Sequence, residues 1–239
     1  MSAMTKKILA RLSELGDPDV AARSQRFFKT GPGEYGEGDR FLGIRVPVIR
    51  KVVREVRHIE LGDALELLRS PLHEARLLAL LILVDRYSRA GTPAERRAIY
   101  RAYLDHTEFI NNWDLVDASA EHIVGAYLFE RNRKPIYRLA GSISLWERRI
   151  AVLATFHFIK REQYDDTLAV AGLLLDDPED LIHKAVGWML REVGNRDRPA
   201  ENRFLRKHYR RMPRTMLRYA IEKFPEKSRR AYLRGEVRC

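Results

Sequence analysis

Two tryptophans, one aspartate and several cations recur at matching spacings in this sequence. Trp113 and Asp117 stand four residues apart in NNWDLVD, and Lys184 and Trp188 stand four apart in LIHKAVGWM. Residues four apart share one face of an α-helix, so each pair is presented to the same side. An indole face attracts a cation, a carboxylate can stabilise positive charge or orient a water, and arginine grips phosphate through its planar fork. A lone acid among cations that face phosphate needs an explanation. Either Asp117 pairs with Arg149 and orients it, or it takes part in chemistry. Each residue by itself has an ordinary reading: a tryptophan is best buried, an aspartate is best solvated or ion-paired, and Arg149 and Lys184 read as surface cations. Trp146 is assigned to packing. The combination of residues, not any single one, favours function.

Helices must position these residues. Apolar residues recur at three- and four-residue spacing over 72–87, 112–129, 145–159, 164–175 and 180–193, and no convincing alternating strand is present. Breaks fall at Ser70-Pro71, at Gly91-Thr92-Pro93, at Gly141-Ser142, at Asp176-Asp177-Pro178 and at Met212-Pro213, where proline is placed to open the next helix. Residues 30–39, TGPGEYGEGD, form an acidic, glycine-rich loop with the composition of a mobile one, lying between an N-terminal helix pair and the rest.

Similar segments start at His73 (HEARLLAL), Leu145 (LWERRIAVL), Leu181 (LIHKAVGWM) and Arg214 (RTMLRYAIE). Superposing them aligns Arg76, Arg149, Lys184 and Arg218, and Trp113 sits halfway across the double step from Arg76 to Arg149, so the implied series is Arg76, Trp113, Arg149, Lys184, Arg218, with steps of 37, 36, 35 and 34 residues. That interval suits two helices per repeat, as in HEAT-like arrays. The expected fold is therefore all-α, a right-handed α-solenoid of helical-hairpin repeats with a concave basic groove. The chain is expected to be one repeat domain over 1–239, with N-terminal helices over 1–29, the loop over 30–40 and the array over 41–234.

The formal net charge is +11, and 34 of the 44 basic residues are arginine. This favours a nucleic-acid partner first and an anionic membrane surface second. Cys239 is the single cysteine, which excludes an intrachain disulfide and a cysteine-built zinc cluster and suggests a reducing compartment. The first 16 residues lack a signal-peptide core, and no run approaches the roughly 20 apolar residues that span a bilayer. A cytoplasmic protein without a membrane segment is the expectation. The histidines show no paired metal spacing, the glycines form no phosphate-binding loop and there is no GxSxG elbow, so neither a metal nor a cofactor is expected. The basic run 203–218 reads equally as a solvated capping helix or as a DNA-backbone contact.

FLGIRVPVIRK at Phe41, NNWDLVD at Asn111, SLWERRIAVLATF at Ser144, LIHKAVGWMLRE at Leu181 and the C-terminal PRTMLRYAIEKFP together resemble the HEAT-repeat DNA alkylation-repair glycosylases, the AlkD-like enzymes. The resemblance runs from about Arg26 to Arg234, and its WDxVD and KAxGWxLRE elements keep the family's order and spacing. It implies removal of N3- or N7-alkylated purines from double-stranded DNA without drawing the base into a pocket. By the same resemblance Asp117 matches the catalytic aspartate, Trp113 and Trp188 match the tryptophans on the lesion nucleotide's deoxyribose, and Arg149 matches a groove arginine. Phe27, Arg45 and Arg50 match positions that contact the DNA backbone. Phe27 stands where a relative has tyrosine, and so lacks the phenolic hydrogen bond. Asn112 stands where that relative has a further tryptophan.

Physical logic agrees with these roles. An N3- or N7-alkylpurine is already cationic and leaves without a general acid, so the task is to stabilise the positive charge that develops on the sugar. A carboxylate near the sugar does this more strongly as water is excluded. Lys184, Arg191, Arg76 and Arg218 join Arg149 as expected DNA-binding cations. No lysine nucleophile is required, so a monofunctional glycosylase is expected, acting as a monomer on duplex DNA with alkylated purines. Two other classes compete. A catalytically silent protein that binds branched or distorted DNA would keep the basic groove but would not need Asp117. A protein-binding scaffold would not need the arginine bias.

Overall fold

Capping residues and prolines set where the helices begin. Asp17 accepts hydrogen bonds from the backbone N–H groups of Asp19 and Val20, with Pro18 in the first turn. Thr92 and Glu95 form a reciprocal capping box that spans Pro93, and Asp197 accepts from Ala200 N. Such caps satisfy donors that a helix leaves orphaned at its start.

The computed structural model describes residues 1–237, so Cys239, on which the redox reading rests, lies outside the described residues. The described residues are helical, with no strand beyond one isolated bridge between Arg40 and Leu72. They divide into two compact units, Met1–Ile123 and the part from Val124 onward.

The first unit holds α1 (Ala3–Glu14), α2 (Pro18–Phe27), α3 (Val46–Val56), α4 (Leu61–Leu68), α5 (His73–Arg89), α6 (Pro93–Leu104) and the short α7 (Trp113–Asp117). Helix α5 is its centre, packed against α1, α3, α4, α6 and α7. Ala75, Leu78, Leu80, Ile82 and Leu83 are fully buried on several of its faces, which is why its sequence is apolar almost all round. The loop over 30–39 is a loop as expected. It is anchored, however, because Asp39 at its end is buried.

The second unit holds α8 (Ala126–Leu128), α9 (Lys134–Ala140), α10 (Leu145–Ala154), α11 (Phe156–Ile159), α12 (Asp165–Leu173), α13 (Asp180–Gly194), α14 (Arg198–His208), α15 (Arg214–Ala220) and α16 (Glu226–Arg234). Here α13 is central, packed on α10, α12, α14 and α15. Gly187 permits the approach of α15, since a Cβ there would lie 2.4 Å from the Met216 carbonyl oxygen.

Two stretches expected as single helices are interrupted. Residues 112–129 divide into α7, a turn, the π-helical segment Glu121–Gly125 and α8. Within the turn, the Ser119 hydroxyl donates to the Leu115 carbonyl at 2.6 Å, competing with the helical ladder. Residues 145–159 break at Thr155, whose hydroxyl donates to the Val152 carbonyl at 2.7 Å. The five positions of the repeat series nevertheless fall on five separate helices, α5, α7, α10, α13 and α15. Within the second unit α10 packs on α13 and α13 on α15.

Candidate functional site

In the first unit the site is built on α7. Asn112 caps this helix through its side-chain oxygen, which accepts from Trp113 N at 2.8 Å, and its amide nitrogen donates to Asp39 at 3.1 Å. Trp113 and Asp117 occupy one face of the helix and are both half-buried, so neither is lost to the core. The charge of Asp117 reaches Tyr103. Burial chiefly, and that charge in addition, raise the Tyr103 phenol above its ordinary range against the opposing hydrogen bond with Ser119.

A run of aromatic rings backs Trp113. The Trp113 ring stacks on Phe28 at 5.3 Å and 17°, Phe28 on Phe41 at 4.9 Å and 21°, and Phe41 on His73 at 4.3 Å and 21°. Phe27 meets the Trp113 edge at 6.1 Å and is itself 67% exposed. The sequence placed Phe27 at the DNA backbone, and its exposure leaves the ring accessible for that contact.

Behind the rings lies a cluster of charged groups. His73 Nδ1 lies 2.9 Å from an Asp39 oxygen and His73 Nε2 lies 2.8 Å from an Asp114 oxygen. Both neighbours are carboxylates, so both ring nitrogens donate and the ring is an imidazolium. Burial pulls its pKa down, but the hydrogen bonds and charges of Asp114 and Asp39 outweigh that and raise it from 6.5 to about 9. For Asp39, burial pushes the carboxyl up, yet the bonds from His73, Arg76 and Asn112 and the charge of Arg76 hold it below 3.8. Arg76 is buried with its guanidinium on Asp39. It was expected to be a phosphate ligand, but its long-range partner makes it an anchor for the loop.

Other cations of the first unit are differently placed. Arg45, at the start of α3, and Arg50, one turn on, are exposed with no carboxylate partner among the described residues.

In the second unit Trp188 is half-buried on α13, its ring 5.9 Å from Phe156 and its N–H donating to Glu192 at 3.3 Å. Lys184 pairs with Asp180 at 2.7 Å, and Arg191 pairs with Glu222. Arg149 is buried, with Nη1 donating to the Leu181 carbonyl at 2.5 Å. The surface cation expected there is thus a covered group that ties α10 to the first turn of α13. Arg218 is exposed on α15. Trp146, assigned to packing, is only half-buried.

The charged cluster was missed in the sequence. Asp39 and Asp114 lie 34 and 41 residues from His73, so no local pattern reports them. The available signal was the adjacency of Asp114 to Trp113. No group of three or more His, Cys, Asp or Glu among the described residues could hold a metal ion, and no described helix is long and apolar enough to cross a membrane.

The family model for DNA alkylation repair enzymes matches residues 8–224, nearly the whole chain. The chain belongs to the DNA alkylation repair enzyme family. A solved structure from Enterococcus faecalis, described as a predicted DNA alkylation repair enzyme, superposes with a TM-score of 0.68 at 16% identity, covering 88% of this chain and 97% of that one. At that identity the likeness shows the fold. A search of curated sequences gives no match. Membership of this alkylation repair family makes DNA repair the setting in which α7 and α13 are to be understood, and DNA the substrate.

Proposed function

We propose that this family member is a DNA glycosylase that hydrolyses the N-glycosidic bond of N3- and N7-alkylated purines in double-stranded DNA, without drawing the base into a pocket. The observation that carries the reading is the pairing of an accessible indole and an accessible carboxylate, Trp113 and Asp117, on one short helix face of a strongly basic protein. An alkylated purine leaves as a neutral base, so the barrier lies in the cationic sugar. The Asp117 carboxylate stabilises that charge and positions the attacking water. The Trp113 and Trp188 indoles add attraction for the sugar cation.

Phosphates are held first by the exposed Arg45, Arg50 and Arg218, with the Phe27 ring against the backbone. Lys184 and Arg191 exchange Asp180 and Glu222 for phosphate when DNA binds. Arg149 acts from beneath the surface, holding α10 to α13. The same reading arranges α5, α7, α10, α13 and α15 as successive repeats of a HEAT-like right-handed solenoid forming one domain, working as a cytoplasmic monomer without a cofactor. No step calls for a lysine nucleophile, so the DNA strand is left intact.

The test is base release from duplex DNA carrying a single N7-methylguanine, with Asp117→Asn in parallel. Release by the parent and not by the variant supports the reading. No release by either, alongside salt-sensitive binding, points instead to a silent binder of distorted DNA.

A further inference from the structure

We propose that His73 is a positioning residue for Trp113 and Asp117: as an imidazolium held between Asp39 and Asp114, it fixes the start of α7 against α5 and the loop over 30–39. The inference rests on the glycosylase reading for its kinetic consequence, but not for its structural one.

Helix α7 has five residues, too short to be stable by itself. Its orientation must come from what holds its first turn. Two attachments do so, and both lead to the same cluster. Asn112, the capping residue, reaches Asp39, and Asp114 reaches His73. The other Asp114 oxygen is buried without a hydrogen-bond partner, so His73 is the group that balances this carboxylate. A third attachment is the ring stack, which runs from Trp113 through Phe28 and Phe41 to the face of His73. The imidazolium therefore holds the helix directly by charge through Asp114 and supports the indole only through the intervening Phe41 and Phe28 rings.

The groups facing His73 come from every element around it. Asp39 and the Arg40 carbonyl, which accepts from His73 N at 2.8 Å, belong to the loop and its end. Asp114 belongs to α7. On α5, Arg76 shares Asp39, and the Glu74 carboxylate accepts from the backbone N–H groups of Leu42, Gly43 and Ile44, fixing the chain on which Phe41 stands. Asp39 and Asp114 are thus matched by His73 and Arg76, while the third carboxylate, Glu74, is held by backbone N–H groups. Loss of the His73 proton leaves the half-buried Asp114, with its buried Oδ1, without a counter-charge, which releases α7 and with it Trp113 and Asp117.

The experiment has two readouts. In a Trp146→Phe, Trp188→Phe background, the emission of Trp113 is followed from pH 7 to pH 10, with and without His73→Gln. The emission should change with a midpoint near 9 and lose that transition in the His73→Gln protein. In the otherwise unaltered chain, single-turnover release of N7-methylguanine should slow by roughly ten- to hundredfold in His73→Gln, the scale of a misplaced catalytic group, while affinity for undamaged duplex stays within about twofold.

Should His73→Gln fail to fold, Asp114→Ala keeps His73 on Asp39 and cuts only the link to α7. It should show the same rate loss and a shifted Trp113 emission. Either variant, folded by circular dichroism and with the parent's emission and rate, overturns the proposal. If the parent itself releases no base, the glycosylase reading fails and the positioning role is judged on the emission alone, a flat profile refuting it.

Discussion

Raising the pH should weaken the first unit selectively, through His73. Its folded pKa of about 9 stands above the unfolded value of 6.5, so the folded state holds the proton more tightly. The stabilisation is complete below pH 6.5, shrinks as pH rises between 6.5 and 9, and is gone above about 9. At about 1.36 kcal/mol per unit, the shift corresponds to about 3 kcal/mol. That is a large share of the stability of an ordinary domain, about 5–15 kcal/mol. The side chain is 2% exposed, so solvent screening takes little from this figure. The assay is equilibrium urea unfolding of parent and His73→Gln at pH 6 and pH 9.5, followed by Trp113 emission in the single-tryptophan background so that the first unit is reported. The gap between parent and variant should narrow by about 3 kcal/mol from the lower pH to the higher. Subtracting the variant removes every other group that titrates in the same window. A gap of equal size at both pH values would refute the reasoning.

Four further outcomes are expected. Asp117→Asn should lower base excision on the order of 10²–10³-fold, as loss of an electrostatic group at a transition state does, with duplex affinity equal to or tighter than the parent's; excision assays and binding titrations check this. Arg45→Ala and Arg50→Ala should each weaken duplex binding regardless of sequence and reduce the salt slope by about 1, whereas Arg76→Ala should instead lower thermal stability, since its guanidinium is buried on Asp39. Burial raises the Glu201 carboxyl to about 8 against the opposing charge and hydrogen bond of Arg198, so Glu201→Gln should gain stability over the parent as pH rises from 4.5 to 8; urea unfolding at pH 5 and pH 8 reads this. Gly187→Ala should cost about 1–3 kcal/mol by forcing α15 away from α13, seen in thermal unfolding.

Most helices were legible because burial of one face imposes a 3.6-residue rhythm, and prolines and glycines mark the ends. The spans 72–87, 164–175 and 180–193 correspond closely to α5, α12 and α13. The breaks near Ser119 and Thr155 were not legible, because a hydroxyl turned back on its own helix leaves the apolar rhythm intact. Trp113, Asp117 and Trp188 were singled out by spacing and resemblance, and their partial exposure came only with the structure. Arg76 was taken for a phosphate ligand because cations in a repeat register look alike. What distinguishes it is Asp39, a residue far away in sequence inside a run that reads as plain acidic loop. Periodicity reports which side a residue faces, and it is silent on long-range ionic partners.

The charge cluster behind Trp113 also bears on how a polyanion senses this protein. Asp39, Asp114, His73 and Arg76 sum to zero, and opposed charges a few ångströms apart leave a field that dies away quickly with distance. Asp114 on α7 and Asp39 beside its start are therefore present without repelling an approaching phosphate chain. The far field is left to the exposed arginines, and of the acids on α7 Asp117 lies outside this neutral quartet.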